Sequence, residues 1–126
     1  MAVARSKLLV VEDNRETQLI IKVALRDSYD LQVVDNSNDA ISLLLNNSFD
    51  LVLLDLNLDG KDEGKTILSK IRDEMKNTKV PVIIATAYDL KPEDEQFYHE
   101  NANGFIPKPF NKKDLLGIVN KVLLKN

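Results

Sequence analysis

The stretch LVLLDLNLDG, residues 51–60, determines how the rest of the sequence is interpreted. Its first four residues are apolar at every position, which is typical of a strand that is covered on both faces of a parallel sheet. Asp55 closes this run, and Asn57 follows two residues later. A carboxylate at the end of a buried strand can form a turn, bind a metal ion or act as a nucleophile. The surrounding sequence has to decide among these three roles.

Strand and helix patterns alternate along the whole chain. The apolar runs that predict strands are residues 7–11, 31–34, 51–54, 80–86 and 103–107. Each run is followed by apolar residues at helical spacing, with helix starts predicted at Asn14, Asn36 or Ser37, Gly64, Pro92 and Lys112. In the first helix, Thr17, Ile20, Ile21, Ala24 and Leu25 fall at helical spacing. Five alternating β-α units over residues 1–126 predict one α/β domain with a parallel sheet and helices on both faces.

The composition excludes several classes of function. A net charge of −3 gives no electrostatic basis for binding nucleic acid or an anionic membrane surface. The chain of 126 residues has no cysteine, which excludes disulfides, thiolate catalysis and cysteine-based metal sites. Its one histidine, His99, cannot form a histidine-rich metal site, and we interpret it as a surface residue. No apolar run is long enough to span a membrane, and the segment MAVARSK lacks a signal-peptide core. We therefore expect a cytoplasmic protein.

Polar residues stand where four of the predicted strands end. Ligands of open α/β sheets bind beyond the carboxyl ends of the strands. At these ends lie Glu12 and Asp13, then Asp55, then Thr86, and finally Lys108. Each residue alone is more readily explained as a turn or capping residue. Together, three carboxylates, a hydroxyl and an ammonium fit phosphoryl transfer, in which two acids hold Mg²⁺ and the third attacks phosphorus.

With these residues assembled, the chain resembles the receiver domains of two-component response regulators, the class that contains the chemotaxis receiver. The resemblance covers nearly the whole chain. It rests on the acidic pair Glu12-Asp13, the apolar run into Asp55, the pair Thr86-Ala87 and the segment Lys108-Pro109-Phe110. It implies a flavodoxin-like, doubly wound (βα)5 fold with the strand order 2-1-3-4-5.

The resemblance also implies a role for each site residue. Asp55 would accept a phosphoryl group from the phosphohistidine of a histidine kinase or a histidine phosphotransfer protein. The cofactor would be Mg²⁺, or Mn²⁺ in its place. Its ligands would be Asp13 and Asp55, Glu12 largely through water, and the backbone carbonyl of Asn57. Thr86 and Lys108 would bind the phosphoryl oxygens, and the Lys108–Pro109 peptide bond would be cis.

A conformational switch and an output surface follow from the same resemblance. Phe105 stands at the position of the switch aromatic, whose ring would fill the space that Thr86 vacates. On the residues alone, Phe105 is better explained as an inward-facing residue of the fifth strand. Tyr88 either shields the acyl phosphate from water or is simply an exposed aromatic. The output surface would be helix 4, strand 5 and helix 5, roughly residues 88–124, which contacts an unidentified downstream protein or a second copy of the chain.

Two other functions and one departure from the pattern stay open. A magnesium-dependent aspartyl-phosphate phosphatase would need an acid where Asn57 stands, and a receiver-like scaffold that is never phosphorylated would not need the complete set of site residues.

Asp59 occupies a position where receivers usually carry proline, and Asp62 and Glu63 add further negative charge to this loop. With no segment after the fifth helix, the output is expected to be a protein contact. A receiver excised from a longer regulator explains the sequence equally well.

Overall fold

A computed structural model of the chain describes residues 5–56, 58, 64–73, 79–86 and 91–124. Five strands and five helices alternate along it. The strands are β1 (Lys7–Val11), β2 (Asp30–Val34), β3 (Leu51–Asp55), β4 (Val82–Thr86) and β5 (Gly104–Pro107). The helices are α1 (Arg15–Leu25), α2 (Ser37–Asn46), α3 (Gly64–Asp73), α4 (Pro92–Asn101) and α5 (Lys112–Leu124).

The five strands form one parallel sheet in the order β2-β1-β3-β4-β5. This is the doubly wound, flavodoxin-like order, so the predicted fold is confirmed. β3 lies at the centre of the sheet, and all five of its residues are buried. The strand order reverses between β1 and β3, and this switch point places the ends of these two strands side by side.

The sheet separates two hydrophobic clusters. On one face, α1 and α5 cover Leu8, Val10 and Leu53. On the other face, α2, α3 and α4 cover Leu9 and Val52. Because side chains alternate across a strand, β1 and β3 need apolar residues at nearly every position to fill both clusters. This is why the run at residues 51–54 shows no polar alternation.

Local capping signals correctly predicted where helices begin. The Asn14 side chain accepts a hydrogen bond from the backbone N–H of Thr17 at 2.9 Å. Asn36 and Asn111 cap α2 and α5 in the same way. Pro92 is the first residue of α4, where a missing N–H costs nothing. The fourth strand starts two residues later than predicted, at Val82, with the buried Pro81 just before it.

The buried face of α1 is narrower than its set of residues at helical spacing. Ile21, Ala24 and Leu25 are buried, but Ile20 is 45% exposed. The outer side of the helix carries three large apolar residues: Leu19, Ile20 and Val23. Helical spacing alone could not show this, because the width of the buried stripe depends on how α1 packs against the sheet and α5.

None of the helices in the described ranges is both long and apolar enough to cross a membrane.

Candidate functional site at the carboxyl edge of the sheet

The strand register brings the ends of four strands to one level. Val11 pairs with Leu54, Asp55 pairs with Ala85, and Thr86 pairs with Pro107. The residues that follow β1 and β5 therefore meet the last residues of β3 and β4 at one edge of the sheet. This is the edge at which the sequence places its candidate site residues.

Three carboxylates converge at this edge. Glu12, Asp13 and Asp55 each contribute an oxygen atom, and these atoms all lie within 4.8 Å of one another. Glu12 is 1% exposed and Asp55 is 5% exposed, while Asp13 is half-buried. Carboxylates that are this close together and this deeply buried repel one another, so the cluster needs positive charge nearby.

Lys108 supplies part of that positive charge. Its Nζ lies 2.7 Å from Glu12 Oε1 and 3.3 Å from Asp55 Oδ2. The backbone N–H of Lys108 donates to the Thr86 carbonyl at 2.9 Å, which fixes the start of the side chain at the end of β4. Burial disfavours the charged amine, but its contacts with Glu12 and Asp55 outweigh this effect and raise the pKa of Lys108 above its ordinary value. The Lys108–Pro109 peptide bond is cis, as the resemblance implied.

Glu12 is held at several points. Its backbone N–H donates to the Val34 carbonyl at 3.0 Å, and its Oε2 accepts from the backbone N–H of Asn14 at 3.1 Å. Its own carbonyl accepts from Gln18 Nε2 at 2.6 Å. Burial raises the pKa of Glu12 to about 7, although the Lys108 ammonium and the hydrogen bond from the Asn14 backbone act in the opposite direction.

The donor set fits a small, hard cation. Within the described part of the chain, Glu12 Oε1 is buried without a well-directed hydrogen bond, so its contact with Lys108 is an ion pair with poor hydrogen-bond geometry. An oxygen in this condition has lone pairs left for a ligand. Carboxylate oxygens with no nitrogen or sulfur donor among them are the ligands that Mg²⁺ prefers. The residues present are therefore compatible with the cofactor expected from the sequence.

The start of α3 is packed directly against the end of β3. The backbone N–H of Gly64 donates to the Leu56 carbonyl at 3.1 Å. A Cβ atom at position 64 would lie 2.6 Å from Leu56 Cα and 3.0 Å from the Asp55 carbonyl oxygen, so only glycine fits here. The next residue, Lys65, forms an ion pair with the buried Asp94 of α4. Sequence reasoning identified neither contact, because both depend on how the helices pack.

The residues predicted to form a switch lie beside this site. Thr86 ends β4 and is half-buried, and Phe105 is a half-buried residue of β5 that pairs with Ile84. The Phe105 ring packs against the α2–α4 side of the core and contacts the His99 ring at a centroid distance of 5.1 Å. His99 is an exposed residue of α4, and its imidazole also lies 3.8 Å from Glu95.

Several predicted positions fall outside the described residues. They are Asn57, Asp59, Asp62, Glu63, Ala87 and Tyr88. The assignments of a backbone ligand to Asn57 and of a shielding role to Tyr88 therefore stay predictions.

Comparison with known families assigns the chain to a class. Residues 8–120 match the family model described as the response regulator receiver domain, so the chain belongs to that family. It is a signalling module of the two-component class, as the sequence predicted.

Individual relatives agree with this assignment. The transcriptional regulatory protein KdpE of Staphylococcus aureus is 33% identical over 112 residues, which is 88% of this chain and 47% of KdpE. The chain thus spans about half the length of this curated relative. The receiver domain of the sensor histidine kinase PA1611 from Pseudomonas aeruginosa, solved with magnesium in its active-site cleft, has 28% identity and a TM-score of 0.83 over 95% of this chain and 98% of that one. The chemotaxis protein CheY4 of Vibrio cholerae shares the fold, with 24% identity and a TM-score of 0.84 over 94% of this chain and 99% of that one.

Proposed function

We propose that this domain accepts a phosphoryl group on Asp55 from a phosphohistidine of a histidine kinase or histidine phosphotransfer protein. The observation that carries this proposal is the position of Asp55, which lies beside carboxylates that can hold a cation and beside a lysine that can bind phosphate oxygens. Its carboxylate lies in a cluster with Glu12 and Asp13, and its Oδ2 is 3.3 Å from Lys108 Nζ. A cation site and a fixed ammonium thus share the same carboxylate.

The reaction moves one phosphoryl group from a histidine nitrogen, to which it is covalently bound, to an oxygen of Asp55. An Asp55 carboxylate oxygen attacks phosphorus, the N–P bond of the phosphohistidine breaks, and its electron pair returns to the imidazole nitrogen. The product is a mixed carboxylic-phosphoric anhydride on Asp55. Lys108 would stabilise the negative charge on the transferred group, and the Thr86 hydroxyl would bind another of its oxygens.

A divalent cation completes the charge balance of this proposal. Asp13 and Asp55 would hold Mg²⁺ through their side chains, Glu12 largely through water, and Asn57 through its backbone carbonyl. The cation, or Mn²⁺ in its place, supplies neutralisation of phosphate charge, which a single lysine cannot provide. The magnesium ion in the receiver domain of PA1611 supports this assignment.

Phosphorylation would then alter a protein-binding surface. Thr86 would move toward the phosphoryl group, and Phe105 would turn into the space that it leaves, changing the surface of α4, β5 and α5. Such a local change of charge coupled to packing is the general form of a phosphorylation switch. That surface would contact a downstream protein or a second copy of this domain. Tyr88 would slow the attack of water on the acyl phosphate.

The phosphodonor would approach over α1 in the cytoplasm. The outer side of α1 exposes Leu19, Ile20 and Val23, and Ile20 also lines a groove together with Lys108 and Phe110. Because Lys108 also contacts Asp55, a protein seated on this apolar groove has its phosphohistidine close to the acceptor. Exposed apolar surface next to a reactive centre is typical of an interaction site.

Intact-mass measurement tests the proposal. The purified domain is incubated with acetyl phosphate, with and without Mg²⁺, beside the variant Asp55→Asn. We expect the mass of one phosphate to be added to the wild type in the presence of Mg²⁺, and no addition without Mg²⁺ or in the variant. The modification should survive acid and be lost in base, as an acyl phosphate is.

Two results would contradict the proposal in different ways. No added phosphate under any condition would favour a receiver-like scaffold that is never phosphorylated. Multiple-turnover hydrolysis of added phosphomonoesters would favour a phosphatase.

A further inference from the structure

One contact beside the acidic cluster belongs to a residue to which the proposed reaction gives no role. Gln18 lies in α1, and its side-chain Nε2 donates to the Glu12 carbonyl at 2.6 Å. The parallel ladders of β1 with its two neighbours end at Val11. The Glu12 carbonyl therefore lies just past the sheet, and a side chain six residues further along the chain provides its donor.

This hydrogen bond constrains more than one atom. The peptide unit between Glu12 and Asp13 is planar, so fixing the Glu12 carbonyl also fixes the direction in which the chain reaches the Cα of Asp13. On the other side of Glu12, its backbone N–H is fixed by the Val34 carbonyl at 3.0 Å. The backbone at Glu12 is thus held from β2 on one side and from α1 on the other.

The side chains of the acidic pair inherit this constraint. The Glu12 carboxylate is anchored by Asn14 and Lys108, and the Asp13 carboxylate projects from the peptide that Gln18 orients. A displacement of that peptide would change the spacing among the oxygens of Glu12, Asp13 and Asp55, which lie within 4.8 Å of one another. Spacing matters more for some cations than for others. Mg²⁺ requires short bonds in near-ideal octahedral geometry, whereas Ca²⁺ accepts longer bonds and irregular geometry.

We propose that Gln18 is a positioning residue for the cation site, and that its hydrogen bond to the Glu12 carbonyl makes the site prefer Mg²⁺ over Ca²⁺. This inference rests on the proposed function, because it takes the acidic cluster to be a Mg²⁺ site. It assigns to Gln18 no contact with the cation or with the phosphoryl group. Gln18 acts on the site only through the peptide that connects the two acids.

The test measures the dissociation constants of Mg²⁺ and Ca²⁺ by calorimetry for the wild type and three variants. Gln18→Met keeps the length of the side chain but removes the donor. Gln18→Lys retains a donor, and its added charge weakens both ions together. Gln96→Met is the control, because Gln96, an exposed residue of α4, also donates through Nε2, to Glu100 Oε1 at 2.9 Å. The midpoint of urea unfolding is measured for every protein.

For Gln18→Met we expect Mg²⁺ to bind about tenfold more weakly, the lower end of what outer contacts of a metal site contribute. Ca²⁺ binding should change by less than about threefold, because its geometry is adaptable. Gln18→Lys should keep the wild-type ratio of the two dissociation constants, and Gln96→Met should match the wild type for both ions.

Three results would overturn the inference and leave the proposed function standing. One is an unchanged Mg²⁺ dissociation constant in Gln18→Met. A second is an equal loss of both ions in that variant, since general loosening of the domain does not discriminate between cations. The third is a ratio in Gln18→Lys that falls as far as it does in Gln18→Met. If the wild type itself bound no Mg²⁺, the metal-dependent reaction on Asp55 would fail and this inference would fail with it.

Discussion

At the level of single residues, the site is a problem of charge balance. Glu12 and Asp55 are both buried, and Lys108 contacts both of them. One ammonium group cannot neutralise the three carboxylates of the cluster at once. Burial raises the pKa of Glu12 to about 7, and the charge of Asp55 acts in the same direction. A divalent cation would restore the balance, and the same residues would then hold both a metal and a phosphoryl group.

The raised pKa of Glu12 predicts a dependence of stability on pH. The pKa of Glu12 is 4.5 in the unfolded chain and about 7 in the folded protein, so between these two pH values the folded protein keeps a proton on Glu12 that the unfolded chain releases. The stabilisation is therefore complete below the lower value and is lost as the pH rises through the higher one, by roughly 3 kcal/mol in the free energy of unfolding. Urea unfolding from pH 5 to pH 8 without divalent cations should show this decline in the wild type. Glu12→Gln should flatten it, and an equal decline in both proteins would contradict the assignment.

Removing the charge of Lys108 should separate metal binding from phosphoryl transfer. Lys108→Met should lower the rate of modification by acetyl phosphate about 10²- to 10³-fold, the effect of deleting one fixed group that stabilises transition-state charge. Mg²⁺ should bind at least as tightly as in the wild type, because the acids lose a competing positive charge. Initial rates from intact mass and dissociation constants from calorimetry measure the two effects. A parallel loss of both would show that Lys108 supports the fold of the site rather than the reaction.

At the level of elements, local signals were sufficient to predict helix starts but not helix packing. Asn14, Asn36 and Asn111 cap their helices through contacts three residues away, so their role is encoded in adjacent sequence. Gly64 and Gln18 act through contacts with residues outside their own helices, and the residues next to them in the sequence give no signal of these contacts. Gln18 in particular has the sequence signature of an ordinary solvated helix position.

Two glycines of the helices give a matched pair of opposite predictions. Gly64→Ala should destabilise the domain by about 1–3 kcal/mol, because the new Cβ would meet the backbone of Leu56 at 2.6 Å. Gly117→Ala should stabilise it by up to about 1 kcal/mol, since nothing lies within 4 Å of that Cβ and alanine favours the helix. Urea unfolding of both variants checks the two signs. Equal effects would mean that α3 can move away from β3 without cost.

At the level of the whole molecule, topology rather than sequence proximity builds the site. Glu12 and Lys108 are far apart in the chain, and they meet because parallel strands with right-handed crossovers send all their carboxyl ends to one edge. The alternation of strand and helix patterns was enough to predict this meeting, and the order β2-β1-β3-β4-β5 followed from the family resemblance. The individual contacts at that edge, such as the distance of 3.3 Å between Lys108 Nζ and Asp55 Oδ2, could be determined only from the structure.

Asp55, rather than another carboxylate of the cluster, is the expected acceptor of the phosphoryl group. Borohydride reduction distinguishes the three acids, because it converts an acyl phosphate to an alcohol and leaves free carboxylates unchanged. After phosphorylation with acetyl phosphate and Mg²⁺, reduction and peptide mass mapping should find homoserine at position 55 and unmodified acids at positions 12 and 13. Homoserine at position 13, or a reduced side chain at position 12, with Asp55 intact in either case, would show that a different acid is the acceptor.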